Sequence, residues 1–289
     1  MDESKLEEYK KCYPGTDQLR IQMFRMDGKI EGEYKRWFET GQLYVQKSYR
    51  DGKLEGDKIF WYRDGQLKEH AFYTKGKLEK EHKHWFQNGR IGREEFFRDG
   101  KMEGIQRTWH RNGCLKKQVC YHRGERQGEY KKWHRNGRLY KQMFYNKGLP
   151  EGEYKLWYEN GKIHAQASYV DGKLNGECKT WHRNGRIKKQ VTHRNGTREE
   201  KRKLWYTNGR LNKCEFYRDG KLDGECKIWK ENGSLKSHLY YRDGQLASFM
   251  LNSKKKLAIL RMKRQLHYLS LGSVILDCMI SDLAKLICR

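Results

Sequence analysis

The chain has 289 residues, 36% hydrophobic and 35% charged, and its 63 Lys+Arg outweigh 37 Asp+Glu to give a formal net charge of +26. So little apolar material cannot fill the thick core of a single globule of this length. Nine Trp, 19 Tyr and 10 Phe beside two Pro equally exclude a solvated tail, which leaves a thin, ordered fold.

Residues 1–12 form a leading segment with charge where a signal peptide needs an apolar stretch, and nowhere do the roughly 18–20 apolar residues of a membrane span occur. The expectation is a soluble, intracellular protein with no transmembrane segment. The eight Cys show no C-x-x-C and no regular spacing, so reduced thiols are expected rather than zinc ligands or disulfides.

From residue 13 the sequence repeats. Trp37, Trp61, Trp85, Trp109, Trp133, Trp157, Trp181, Trp205 and Trp229 each follow the last by 24 residues. Four residues after each Trp stands a glycine, and two further on a Leu or Ile, as in Gly161 and Ile163 after Trp157. A second glycine series runs unbroken from Gly28 to Gly244, and a third, from Gly32 to Gly224, lapses at Lys80 and Glu200. Gly92 lies outside all three. Tyr13 and Leu19 sit one period before Trp37 and Leu43 and mark a degenerate opening repeat, so the array occupies residues 13–250.

Two turn signals divide each unit, because Asn-Gly and Asp-Gly or Lys-Gly dipeptides alternate along it and favour the left-handed backbone of tight hairpin loops. The segments between are short, aromatic and β-branched, as strands are. The prediction is an all-β, elongated, single-sheet antiparallel meander of 24-residue hairpins, about 19 strands and roughly 90 Å long. A three-residue loop at Asn-Gly sets every Trp opposite Leu or Ile. One face then carries these ladders, an aromatic ladder (Tyr49, Tyr73, Phe97, Tyr121, Tyr145, Tyr169), a recurring acid and a recurring base (Lys131, Lys155, Lys179, Lys203, Lys227). In that register Lys117 faces Glu129, Lys141 faces Glu153 and Lys213 faces Glu225.

The unit, Y/F-x-D-G-K-L-x-G-E-Y-K-x-W-Y-x-N-G-x-L/I, resembles the MORN repeats, most closely the variant form of bacterial YwqK-like antitoxin proteins and of large DNA viruses. The resemblance implies an extended hairpin array used for protein contact or scaffolding, with lipid binding in some members. It transfers no catalytic motif, and for a viral chain it implies the host cytoplasm.

After residue 250 the glycines stop. Residues 251–289 read as a helical tail in which Ile275, Met279, Leu283 and Leu286 form an apolar stripe. Such a pair of helices caps the last strand's open edge. The alternative is that the stripe docks a partner helix or a second copy, making a homodimer.

No hydrolase, nucleotide-loop or metalloprotease motif occurs, and no catalytic residue, metal or cofactor is expected. His110, His134 and His182 each follow a Trp where other repeats have Tyr or Phe. Equivalent positions lie two strands, roughly 9.6 Å, apart, too far to share a metal, so these histidines substitute for tyrosine. His82 and His84 share a strand face and read as solvated. The function expected is a non-catalytic scaffold binding protein through an aromatic, basic surface that includes the Trp ladder and its lysines. The alternative is nucleic-acid or anionic-phospholipid binding by the same charge.

Overall fold

The computed structural model describes residues 5–250. The expected C-terminal helices, with Ile275, Met279, Leu283, Leu286 and the homodimer assigned to them, lie outside the described residues. Within those residues there are 23 strands and no helix, all in one open antiparallel sheet. Two compact units divide the chain, Met1–Gly152 and Glu153–Arg289, and the same hairpin recurs in each.

The Asn-Gly loops have the expected length. His182 N–H donates to Arg186 O at 2.8 Å and Gly185 N–H to His182 O at 2.9 Å, which leaves three residues in the loop and sets Trp181 opposite Ile187. Only the glycine is left-handed (φ 91°). Asn184 instead accepts the Arg186 N–H on its side-chain oxygen at 3.0 Å, closing the loop from within. The Asp-Gly turns are two-residue loops: Val170 pairs with Lys173, and Asp171 (φ 47°) and Gly172 (φ 76°) are both left-handed.

Two bulges complete the unit. At the third glycine series the strand carries two extra residues: Val191 pairs with Arg202 and Thr192 with Glu199, leaving Glu200 and Lys201 unopposed. Neither bulge was foreseen. At the second, Trp181 pairs with Ile187 but Thr180 pairs with Lys189, so Lys188 is surplus. One extra residue moves every following side chain to the other face. The aromatic ladder is therefore not beside the recurring acid and base, as expected, but on the opposite face. Tyr49 pairs with Gly32 and packs edge-on against Tyr34, their ring centres 6.3 Å apart.

Repeats are stitched together at both edges of the sheet. At one edge the N–H of each Asp-Gly glycine donates to a carbonyl 22 residues earlier: Gly52 to Ile30 at 3.0 Å, Gly76 to Leu54 at 2.8 Å, Gly196 to Leu174 at 2.7 Å. The side chain before the bulge glycine accepts the next amide, Asp51 N–H on Glu31 and Lys75 N–H on Glu55, both at 2.7 Å. At the other edge Asn112 donates to Arg135 O and Asn184 to Thr207 O, each at 2.9 Å. The Tyr62 and Tyr206 hydroxyls donate to Trp85 O and Trp229 O at 2.8 Å. His110 and His182 do the same through Nε2 to Trp133 O (3.4 Å) and Trp205 O (3.1 Å), which is the tyrosine role the sequence suggested.

The array also begins earlier than residue 13. Glu7–Cys12 is a strand paired with Leu19–Met26. Cys12, not Tyr13, stands opposite Leu19, and Tyr13 donates its hydroxyl to Trp37 O at 2.8 Å. Tyr13 thus takes the place of the residue after Trp rather than of Trp itself.

Where the third glycine series lapses, Lys80 (φ 58°) and Glu200 (φ 57°) hold the left-handed conformation without being glycine. A Cβ at the equivalent Gly176 meets nothing within 4 Å, so the cost at Glu200 is backbone strain alone, about 1–2 kcal/mol. Glu200→Gly recovers that strain less the entropy of a freer unfolded chain, a net gain of about 0.5–1 kcal/mol in urea denaturation. Lys80→Gly gains less, because Lys80 Nζ sits 4.0 Å from the Phe72 ring centre and that attraction is lost.

Candidate functional site

The two faces have different chemistry. On the face of the recurring acid and base, the charges neutralise one another along single strands. Lys131 reaches Glu129 and Lys155 reaches Glu153, each at 2.7 Å; Lys179 reaches Glu177 and Lys227 reaches Glu225, each at 2.5 Å. A glutamine on the next strand donates to the same carboxylate: Gln142 to Glu129 at 2.6 Å, Gln166 to Glu153 at 2.9 Å, and Gln190 to Glu177. Lys179 holds the Glu177 carboxyl below its usual range, and Lys227 does so for Glu225. Lys203 differs from its counterparts, since Lys201 stands where they have the acid and lies 5.0 Å from the Phe216 ring centre.

The expected pairs of Lys117 with Glu129 and of Lys213 with Glu225 do not form. Lys117 pairs with Lys132, which also pairs with Lys141, and Lys213 pairs with Leu204 and Ile228; the bulge after each Leu or Ile has turned them to the other face. All nine tryptophans are half-buried, and each Trp with a described register, from Trp37 against Leu43 to Trp229 against Leu235, faces its Leu or Ile.

The opposite face is aromatic and basic. Tyr130 meets Tyr145 and Tyr154 meets Tyr169 edge-on, with ring centres 5.9 Å apart, and Arg126 lies 5.2 Å from the Tyr145 ring centre. Along its middle runs the buried column Met23, Ala71, Val119, Met143 in one unit and Ala167, Val191, Leu239 in the other. Glu95 and Glu215 interrupt that column. Glu215 is buried and held by Lys213 at 2.6 Å and Arg202 at 3.0 Å.

His82 is not solvated. Its ring nitrogens lie 3.4 Å from Glu69 and 3.3 Å from Glu95, ion-pair contacts without hydrogen-bond alignment. Glu69 first and then Glu95 push its pKa up to about 9 against the effect of burial; His82 in turn holds Glu69 down at about 2. The signal in the sequence was an acid at a column position that is apolar in most repeats.

Beside this cluster, still within the first unit, the face opens into a groove of about 550 Å³. Arg93, Lys116, Lys117 and Lys132 line it together with Phe86 and Tyr140, and no acidic residue lines it among the described residues. Arg93 pairs with Thr108, Thr108 with Lys117, Lys117 with Lys132 and Lys132 with Lys141, a row of four cations across five neighbouring strand positions, about 19 Å at the usual strand spacing. Burial, then the charges of Lys132 and Arg126, push the Lys141 ammonium pKa down. Burial and Arg93 do likewise to His84.

The pattern described as MORN repeat variant matches residues 30–51, 54–75, 126–147, 150–171, 174–195 and 222–243. Six repeats of the chain are MORN repeat variants. A search of curated proteins gave no match. Among solved structures, a chain in the crystal structure of TcdB2-TccC3 aligns with 80% of this chain at 10% identity and a TM-score of 0.20. This chain spans only 15% of that chain's length, and so slight a likeness carries no argument. The groove lies largely in residues 84–117, between MORN matches, where the hairpin plan persists but the family pattern does not. No helix among the described residues is long and apolar enough to cross a membrane, and none of their His, Cys, Asp and Glu cluster as metal ligands.

The pKa shifts of His82 and Glu69 give a stability window. A histidine raised to about 9 stabilises the fold below its unfolded value near 6.5, and that contribution is lost as pH climbs through 9. Glu69, lowered to about 2, contributes above its usual value and loses this as pH falls toward 2. The stability deficit of His82→Gln is expected to be greatest between about pH 4.5 and 6.5 and to shrink toward pH 9.5. Urea denaturation of both proteins across that range measures it, and an imidazole titrating near 6.5 by NMR contradicts the assignment.

Proposed function

We propose that this MORN-repeat protein is a non-catalytic scaffold, and that its protein-docking surface is the face bearing Glu153, Lys155 and their counterparts in other repeats. Strand alternation puts the Trp ladder on that face. The observation that carries the reading is the pairing of Lys131, Lys155, Lys179 and Lys227 with acids two residues earlier. Self-neutralised charge beside half-buried Trp makes a face of low net charge and large apolar area, the character of a protein interface core with its polar rim. Hydrogen bonds from repeat to repeat hold it in one geometry, so a partner binds without paying to order it.

Glu153→Lys with Glu177→Lys tests the assignment. Both acids are exposed at the surface, so the fold should survive while four like charges gather on the docking face. Partners captured by the wild-type protein from nuclease-treated lysate should be lost by this variant at about 0.15 M salt, where repulsion reaches about 8 Å. Retention of the same partners places docking elsewhere.

A further inference from the structure

We propose that the groove around Lys117 and Lys132 binds single-stranded nucleic acid, its cation row taking phosphates and its aromatic side chains taking bases. This goes beyond the scaffold reading and concerns the opposite face. Lysines placed directly opposite each other repel, and the register does this twice in succession, Lys117 to Lys132 and Lys132 to Lys141. Elsewhere in the same row the first unit has Val45 against Phe60, and Glu69 against His84. Lys47 also faces Lys58 on this side of the sheet, but there Glu69 lies 3.5 Å from Lys58; the two successive pairs at Lys132 border a groove without an acid among its lining residues. A bound polyanion turns the repulsion into attraction.

Gly92 is the independent observation. It has no part in a turn, and its φ is not left-handed. At the same position the neighbouring repeats carry Lys68 and Lys116. A Cβ here would lie 3.1 Å from Cε2 and Cζ of Phe86 and 3.3 Å from His84 Nδ1. The missing side chain therefore lets the Phe86 ring pack directly on the Gly92 backbone, which fixes that ring in the wall of the groove. Tyr140 lines the groove as well and meets His134 edge-on at 4.9 Å. Cations in a row suit an extended polyanion rather than a compact one. Aromatic rings beside them suit a polyanion with planar bases, the combination by which single strands are held without sequence preference.

The test uses the full chain and fluorescence anisotropy of a labelled oligouridylate about 10 nucleotides long. Removing a like-charge pair should not unfold the protein, so Lys117→Gln with Lys132→Gln is the first variant. Its binding should weaken at least tenfold, and its slope of log affinity against log salt should fall by about 1.4, two phosphate contacts at about 0.7 each for a single strand. Lys29→Gln with Lys53→Gln, two exposed lysines at Asp-Gly turns, removes the same charge and should cost less than about threefold if binding is local rather than diffuse. Tyr140→Leu keeps every charge and should weaken oligouridylate binding while leaving inorganic polyphosphate binding unchanged. Equal losses from the two lysine pairs, or equal effects of Tyr140→Leu on both ligands, overturn the proposal. So does displacement of the oligouridylate by poly-glutamate as readily as by unlabelled RNA, which would make the occupant an acidic protein segment.

Discussion

A single-layered sheet has no second layer against which to bury side chains, and the organisation of both units follows from that constraint. Few apolar side chains are fully buried, and most of those form one column along the middle of a face, with Val45, Tyr130, Cys214 and Cys226 outside it. Stability must then come from contacts between successive repeats. Hence the stitching at both edges: the glycine N–H of one turn reaches the carbonyl of the turn before, and Asn, Tyr and His side chains reach a backbone carbonyl in the next repeat. These bonds satisfy backbone groups that an isolated hairpin would leave to water. Each repeat is ordered by its neighbours, in the manner of solenoids and other linear arrays.

The turns were legible in the sequence because they need particular residues. A left-handed position selects glycine, so two glycine series at fixed offsets reported the two hairpin loops, while the third marks a bulge that the repeat pattern alone did not predict. The ladder of Trp against Leu or Ile then settled the loop length. The bulge after each Leu or Ile left no such trace: Lys188, its surplus residue, is not among the left-handed positions, and any side chain can occupy it. That single residue reverses the parity of the rest of the strand. It moved the aromatic ladder away from the acids and bases, and it replaced the expected Lys117–Glu129 pair with Lys117 against Lys132. His82 was misread for the same reason, since Glu69 and Glu95 become its neighbours only in the true register.

The net charge of +26 is consequently not spread as a uniform coat. On one face a lysine and a glutamate recur two residues apart and cancel. On the other, cations lie over aromatic rings or pair with the occasional acid set into the apolar column, as at Glu215. Both arrangements absorb charge locally, and neither needs a ligand. In the row from Arg93 to Lys141 the absorption is partial. Glu95 lies 3.7 Å from Arg93, and the Tyr130 ring centre 5.9 Å from Lys132 and 5.6 Å from Lys141, yet Lys132 still faces a lysine on each side.

Arg93 and Lys117 of that row fall between family matches, and Lys132 and Lys141 within the match at 126–147, while the hairpins continue through both. A repeat whose side chains serve only the array is held to the array's pattern, because each neighbour depends on it for turn geometry and column packing. Residues 84–117 keep those structural positions, with Trp85 against Ile91 and Trp109 against Leu115, while Gly92 replaces a side chain under the Phe86 ring and half-buried Lys117 faces a second lysine. A like-charge pair of this kind costs stability rather than adding it, which is the mark of a surface shaped for something other than holding the sheet together.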